Sequence, residues 1–237
     1  MHTCLSPCAE IDMTPREIVA VSLERGLNLI AITDHNSAEN IEATKKVAEG
    51  TGLMVLAGME ITSSEEVHIL ALFEYTDHAR LMQNIVYENL PSVENDEKLY
   101  GNQLIVNENN EIMGFNKRLL IAATSLNTHA ILDLIDSFGG LSIASHIDRD
   151  AFSVLSQLGF IPEDLKFNAI EMSPRISRDK AETMFKELKR FPWVSFSDAH
   201  HVNDIGRRTT AFTMKELTFH EIKQAFDNSS DRDLFWD

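Results

Sequence analysis

The chain has 237 residues, 43% of them hydrophobic, which suits one large α/β domain, and 37 acidic against 21 basic residues give a formal charge of −16 with neutral histidines. That sign opposes long-range attraction to a phosphate backbone and argues against extended nucleic acid as a partner, while cations bound inside an acidic protein reverse the local field and leave small phosphorylated substrates open. Cys4 and Cys8 are too few for a disulfide framework, no basic and apolar leader opens the sequence, and no apolar run reaches the roughly 18 residues of a membrane span, so the reading is a soluble, cytoplasmic chain without a membrane partner.

In chain order, Thr14 before Pro15, with Glu17 three residues after Thr14, marks a capped helix start, predicted to run from Pro15 to Arg25. An apolar strand follows at Leu29 to Thr33, then a helix at Ala38 to Glu49. Strands are predicted at Met54 to Thr62 and Val67 to Phe73, with a helix at Ala79 to Asn89. Residues 91 to 127 break the rhythm with two polar acidic stretches around Leu104 to Val106 and read as an insertion or lid. Beyond them a helix at Thr128 to Phe138 leads to strands at Leu141 to Ser145, Ala169 to Met172, Trp193 to Ser197 and Thr210 to Met214. The last two helices are expected at Arg178 to Lys189 and Phe219 to Asp227. Alternating strands and helices without internal repeat point to β-α units in a single domain spanning residues 1 to 237.

Histidines and acids gather at the ends of these strands, the end that carries the active site in α/β barrels. Asp34-His35 follows the first strand, Glu60 lies in the second, and His68 opens the third. His146 follows Leu141 to Ser145, and Asp198 with His200 follows Trp193 to Ser197. A lone buried histidine is more often a hydrogen-bonded core residue than a ligand, but five separate segments reverse that balance. Imidazole and carboxylate together suit zinc, iron or manganese, and a carboxylate such as Glu60 can bridge two ions through its two oxygens. Paired ions activate a bound water and neutralise charge on a phosphate, which is the chemistry of phosphoester hydrolysis. Glu60, Asp198 and His200 are the candidate catalytic groups. Arg149, three residues after His146, and Arg175, after Met172-Ser173-Pro174, are the candidate phosphate-binding cations. Arg207-Arg208 is a weaker candidate, and His78, His129, His201 and His220 read as helical or surface residues.

The ordered set His2-Thr3, Thr14-Pro15, Ile32-Thr33-Asp34-His35, Gly58-Met59-Glu60, Val67-His68-Ile69, Ser145-His146-Ile147-Asp148-Arg149 and Ser197-Asp198-Ala199-His200 resembles the PHP (polymerase and histidinol phosphatase) family of phosphoesterases. The resemblance covers nearly the whole chain. It implies a distorted (β/α)7, TIM-like barrel with two or three divalent ions of manganese, iron or zinc. One ion would take His2, Glu60 and Asp198, and a second would share Glu60 and add His68 and His146. A third would use His35 and His200 with an acid from the first loop, for which Glu10 is the best placed, Cys8 and Asp12 lying close enough to compete. The family opens with a strand ending in His-x-His, whereas this sequence starts at Met1-His2, so the expected barrel lacks its first strand and the first ion lacks one ligand.

The leading expectation is a phosphomonoesterase acting on a small phosphate ester. Its alternatives are a phosphodiesterase or exonuclease, and a metal-bearing regulatory domain that has lost its chemistry. Amidohydrolases fit the order of motifs less well.

Overall fold

The computed structural model describes residues 1–237 other than Asn228 and Ser230. Helix α1 (Pro15–Glu24) starts where the sequence places it, because Pro15 fits the first turn and the Thr14 hydroxyl accepts the Glu17 amide. Then come β1 (Leu29–Ile32), α2 (Ile41–Ala48), β2 (Met54–Thr62), β3 (His68–Phe73) and α3 (Thr76–Asn89). Residues 91–127 hold the short α4 (Glu97–Tyr100) and the hairpin β4 (Leu104–Val106) and β5 (Ile112–Phe115). After α5 (Thr128–Ser137) the chain runs β6 (Leu141–Ala144), α6 (Val154–Leu158), β7 (Ala169–Met172), α7 (Arg178–Met184), β8 (Trp193–Ser195), β9 (Ala211–Thr213), α8 (Phe219–Phe226) and β10 (Asp233–Phe235). No helix among the described residues is long and apolar enough to cross a membrane.

Six strands form one curled, half-barrel sheet in the order β1-β2-β3-β6-β7-β8. Five of them run the same way and β3 runs against both neighbours. Strand β3 returns from β2 through the turn 63–67 without a helix, which departs from a pure β-α repeat. The expected sheet strand at Thr210 to Met214 is a second departure. It becomes β9, pairs antiparallel with β10 outside the sheet, and turns Phe212 toward Phe226 with ring centroids 5.9 Å apart. Helix α2 begins three residues later than expected, because the Asn40 side chain bonds Thr3 Oγ1, the Leu104 carbonyl and the Val106 amide. The predicted helix at Arg178 to Lys189 breaks after Met184 and resumes as a single 3-10 turn at Lys186–Leu188.

Strand alternation divides the apolar residues between two cores. Ile30, Ile32, Val55, Ala57, Met59, Ile61, Ile69 and Ala71 face outward under the helices, with Ile18, Ile41, Met82 and Ile131 packed on them. Leu56, Leu70, Leu72, Leu141, Ile143 and Val194 face inward, closed from below by Phe219, Ile222 and Phe226 of α8. Among the described residues β1 and β8 share no ladder, and a cavity of about 760 Å³ lies along that opening, lined by Leu29, Ala31, Leu56, Leu70 and Phe196. At its rim the first residues bridge the two sides. The Met1 amine donates to the Ala31 carbonyl at 3.1 Å, the Thr33 amide to the Met1 carbonyl at 2.9 Å, and the His2 amide to the Ala199 carbonyl at 3.0 Å.

Gly58 shares the inward face of β2 with Glu60, and a methyl group there would lie 2.8 Å from Thr33 Cγ2 and 2.9 Å from the Ile32 carbonyl oxygen of β1. Gly58→Ala is therefore expected to cost about 1–3 kcal/mol and to lower the thermal midpoint by several degrees; an unchanged melting curve in circular dichroism would refute this packing. A second test concerns α8, where Glu221 accepts from Arg232 Nε at 2.8 Å and Nη2 at 2.6 Å. The Arg232 guanidinium and the Lys215 amide hold the Glu221 carboxyl down to about 2. A depressed acid stabilises the fold fully above its ordinary value near ~4.3 and loses that contribution as pH falls through about 2. The stability gap between the wild type and Glu221→Gln should thus be constant above about pH 5 and close on acidification, as read from chemical denaturation at each pH.

Candidate metal centre

The inward-facing positions that hold leucines deep in the sheet hold ligand-type residues at its rim. On β2 the same face reads Leu56, Gly58, Glu60. On β8 and its continuation it reads Val194, Phe196, Asp198. Because β3 runs the other way, its first residue reaches this rim, so His68 stands at a strand start whereas His35, His146 and His200 follow strand ends. Two of the residues that turn inward have left-handed backbones, His146 at φ 30° and Asp198 at φ 46°. For residues other than glycine such conformations cost about 1–2 kcal/mol and persist where the surroundings over-determine them.

Glu60 is the centre of the cluster and is buried. Its Oε2 lies 3.3 Å from His2 Nε2 and 3.5 Å from His35 Nδ1, and its Oε1 lies 3.3 Å from His68 Nδ1 and 3.5 Å from His146 Nε2. Asp198 Oδ1 is 3.4 Å from His2 Nε2. The buried Nδ1 atoms of His35 and His68 have no hydrogen-bond partner even though they face this carboxylate. Separations of 3.3–3.5 Å match the spacing of two ligand atoms around a tetrahedral ion with bonds of about 2.1 Å. Orphaned imidazole nitrogens and a donor set of nitrogen and carboxylate oxygen fit a divalent transition metal. Among the described residues, three overlapping groups could each hold an ion: His2, Glu60 and Asp198; His35, Glu60 and His68; and His2, Cys8, His35 and His200.

Electrostatics follow from this crowding. Burial works against charge on Glu60, yet the His68, His146 and His2 imidazoles hold its carboxyl well below the usual range. Burial also opposes a proton on His2, but Asp198 and Glu60 overcome it and raise His2 to about 9. Burial, reinforced by the charge of His2, pushes His35 well down and His200 to about 4, which leaves both imidazoles neutral with lone pairs available. At His200, an Nδ1–H donating to the Asp198 carbonyl at 2.9 Å leaves Nε2 free to coordinate.

Asp34 is not part of the cluster. Its carboxylate accepts the Thr3 amide at 2.6 Å, the Thr3 hydroxyl at 2.8 Å and the Ser6 hydroxyl at 2.7 Å. Ser6 Oγ in turn lies 3.0 Å from His2 Nδ1 and accepts the His35 backbone amide at 3.1 Å, so through one hydroxyl Asp34 orients the His2 imidazole and fixes the backbone at His35. Glu10 does not join the centre either. It is exposed and pairs with His201 Nδ1 at 2.9 Å, because the loop turns it outward, and Asp12 is exposed as well. Cys8 is the first-loop residue whose ligand atom falls among the histidines.

One functional side chain escaped the sequence reading. Glu171 on β7 is buried, faces inward, and accepts the strained His146 amide on Oε2 at 3.0 Å. Burial, together with the negative charges of Asp198 and Glu60, raises it to about 8, so it is largely protonated at neutral pH. The available signal was one acid in the otherwise apolar run Ala169-Ile170-Glu171-Met172.

Arg149 Nη2 donates to Asp198 Oδ2 at 2.6 Å and lines a polar cleft of about 500 Å³ with Phe152, Arg175 and Lys180. Phe152, exposed and left-handed at φ 59°, stacks on His68 with centroids 4.6 Å apart. Arg175 is exposed at the cleft edge. Arg207 bonds Asp204 and the Ser197 carbonyl, and Arg208 bonds the Pro174 and Ile176 carbonyls, so both serve the structure. His129, His201 and His220 pair with Asp164, Glu10 and Gln224, away from the centre.

No family model matches the chain. An uncharacterized protein of Methanocaldococcus jannaschii is 39% identical over 59 residues, 25% of this chain and 34% of that protein. Among solved structures, the lesion-specific endonuclease Q of Pyrococcus furiosus superposes with a TM-score of 0.77 at 19% identity, over 99% of this chain and 56% of that one. Endonuclease Q in complex with a 27-mer duplex carrying an abasic lesion at the active site gives 0.72 at 19% identity, over 98% and 56%. A two-domain protein of Bacteroides vulgatus containing a predicted PHP-like metal-dependent phosphoesterase gives 0.58 at 17% identity, over 99% and 62%. The chain has the PHP-type fold. It spans about a third of the M. jannaschii protein and little more than half of the endonuclease chains.

Within this candidate centre the Glu171 carboxyl is expected to act by holding His146. Glu171→Leu should weaken zinc or manganese binding about 10–100-fold by titration calorimetry, and Glu171→Gln, which keeps a carbonyl acceptor, should lose far less. Equal losses in the two variants would remove the positioning role.

Proposed function

We propose that the chain is a metal-dependent phosphoester hydrolase whose substrate is a phosphodiester of damaged nucleic acid. The observation that carries the hydrolase reading is the buried Glu60 carboxylate with four imidazole nitrogens within 3.5 Å, two of them lacking any hydrogen bond. Glu60 with His2 and Asp198 would hold one ion, Glu60 with His68 and His146 a second, and His35 with His200 a third, the metals being manganese, iron or zinc. Divalent ions bound there supply an activated water and neutralise charge on the phosphate. The protein's own groups then have separable tasks. Glu60 would set the spacing of the centre, and Asp198, or His200 when it holds no ion, would take up and return a proton. Arg149 and Arg175 would receive the phosphate oxygens, Arg149 exchanging its bond with Asp198 for one with substrate.

The phosphodiester reading is supported by the fold shared with endonuclease Q and by the cleft beside the centre, where an exposed aromatic ring stands next to three cations. Aromatic rings next to cations suit a base and its flanking phosphate. The expectation against extended nucleic acid rested on net charge, which describes the surface as a whole and not this cleft. A second reading, a small phosphomonoesterase, is favoured by the charge of −16. Two further readings belong to the proposal: a barrel of the (β/α)7 type, and residues 91–127 as an insertion or lid within one domain.

The test is elemental analysis of protein purified without chelator, with assays of p-nitrophenyl phosphate and of oligonucleotides with and without an abasic site. Bound metal with oligonucleotide cleavage is expected. Turnover of the monoester alone would install the second reading, and full metal occupancy with no turnover would leave a metal-bearing scaffold. Glu60→Gln should lower turnover about 100-fold or more with the circular dichroism spectrum retained; unchanged turnover would overturn the assignment of the centre.

A further inference from the structure

We infer that the third metal position of this centre is completed by the thiolate of Cys8, which makes it a sulfur-bearing, zinc-selective position. This rests on the metal-centre reading above and adds to it the ligand that the first loop supplies. Among the described residues, the ligand-type atoms of His2, Cys8, His35 and His200 lie within 4.8 Å of one another. The carboxylates of the same loop are elsewhere. Glu10 pairs with His201 and Asp12 faces solvent. The loop geometry behind this choice is defined by its hydrogen bonds: Ala9 donates to the Ser6 carbonyl at 3.0 Å, and Glu10 donates its amide to the His200 carbonyl at 2.9 Å. Those two bonds pin residues 8–10 against the His200 segment, with the Cys8 sulfur among the imidazoles.

The donor set has a chemical consequence. His2, Glu60 and Asp198 form a nitrogen and oxygen site that accepts manganese, iron or zinc, whereas thiolate with imidazole selects zinc and its softer congeners over manganese or magnesium. Cys4 provides an internal contrast. It is buried against Leu104 and Val106, pushed up to about 12, and lies outside the cluster, while Cys8 is exposed to reagents.

The experiment uses the full chain, stripped of metal and reloaded with cobalt(II). The fully loaded protein should show a thiolate-to-cobalt charge-transfer band in the near ultraviolet, and Cys8→Ala should lack it and bind one equivalent less. Zinc should slow alkylation of Cys8 by iodoacetamide at least about 10-fold, mapped by peptide mass against the unreactive Cys4. Cys8→Asp should bind manganese more tightly relative to zinc than the wild type does. Cobalt bound at full stoichiometry with no charge-transfer band, or alkylation at the same rate with and without zinc, would overturn the thiolate ligand and leave the metal centre standing. Failure of the protein to bind cobalt at all would overturn both.

Discussion

A carboxylate buried in a folded chain is tolerated only where cations or donors surround it, and Glu60 is that carboxylate here. Four imidazole nitrogens converge on it, and between its Oε2 and Asp198 Oδ1 the protonated His2 stands where a cation would. Much of the rim follows from this requirement. His146 and Asp198 accept left-handed backbones to turn inward. Glu171 stays largely protonated because another anion so near Glu60 and Asp198 is unfavourable. Asp34 gives its oxygens to Thr3 and Ser6 and thereby holds the first loop, and with it His2, against the sheet.

The same geometry explains why chemistry and core share one face. In a strand, residues two apart lie on the same side, so an inward series can pass from apolar to polar without changing direction. Leu56, Gly58 and Glu60 do this on β2, and Val194, Phe196 and Asp198 do it along β8 and its continuation. Gly58, lacking a side chain, lets β1 approach β2 just beneath Glu60 and brings His35 within reach. Leucines of the inner core, packed against α8, lie directly beneath this rim.

An acidic surface is compatible with the proposed phosphate-directed site because the two would act on different length scales. Exposed charges are screened beyond a Debye length of roughly 8–10 Å, whereas ions held at the centre and Arg149 in the cleft would act at contact distance on a bound phosphate.

Strand and helix positions were legible in the sequence because period and capping are local: Thr14-Pro15 opens α1, and Met54 to Thr62 is β2 as predicted. So was the chemical character of His2, His35, Glu60, His68, His146, Asp198 and His200, since ligand-type residues recur beside apolar strands. Strand direction was not legible. Side-chain alternation reads the same in both senses, and only pairing with β2 and β6 reverses β3 and carries His68 to the rim. Nor could spacing choose between Cys8 and Glu10, because a loop's inward side chain is selected by hydrogen bonds to a segment almost 200 residues away, the His200 carbonyl. Glu171 was hidden for a similar reason: one acid in a strand is surface or centre depending on which neighbours the sheet folds around it. Sequence thus determined which ligand-type residues stand beside the strands, and tertiary structure decided which of them meet, because local patterns encode faces while pairing encodes distances.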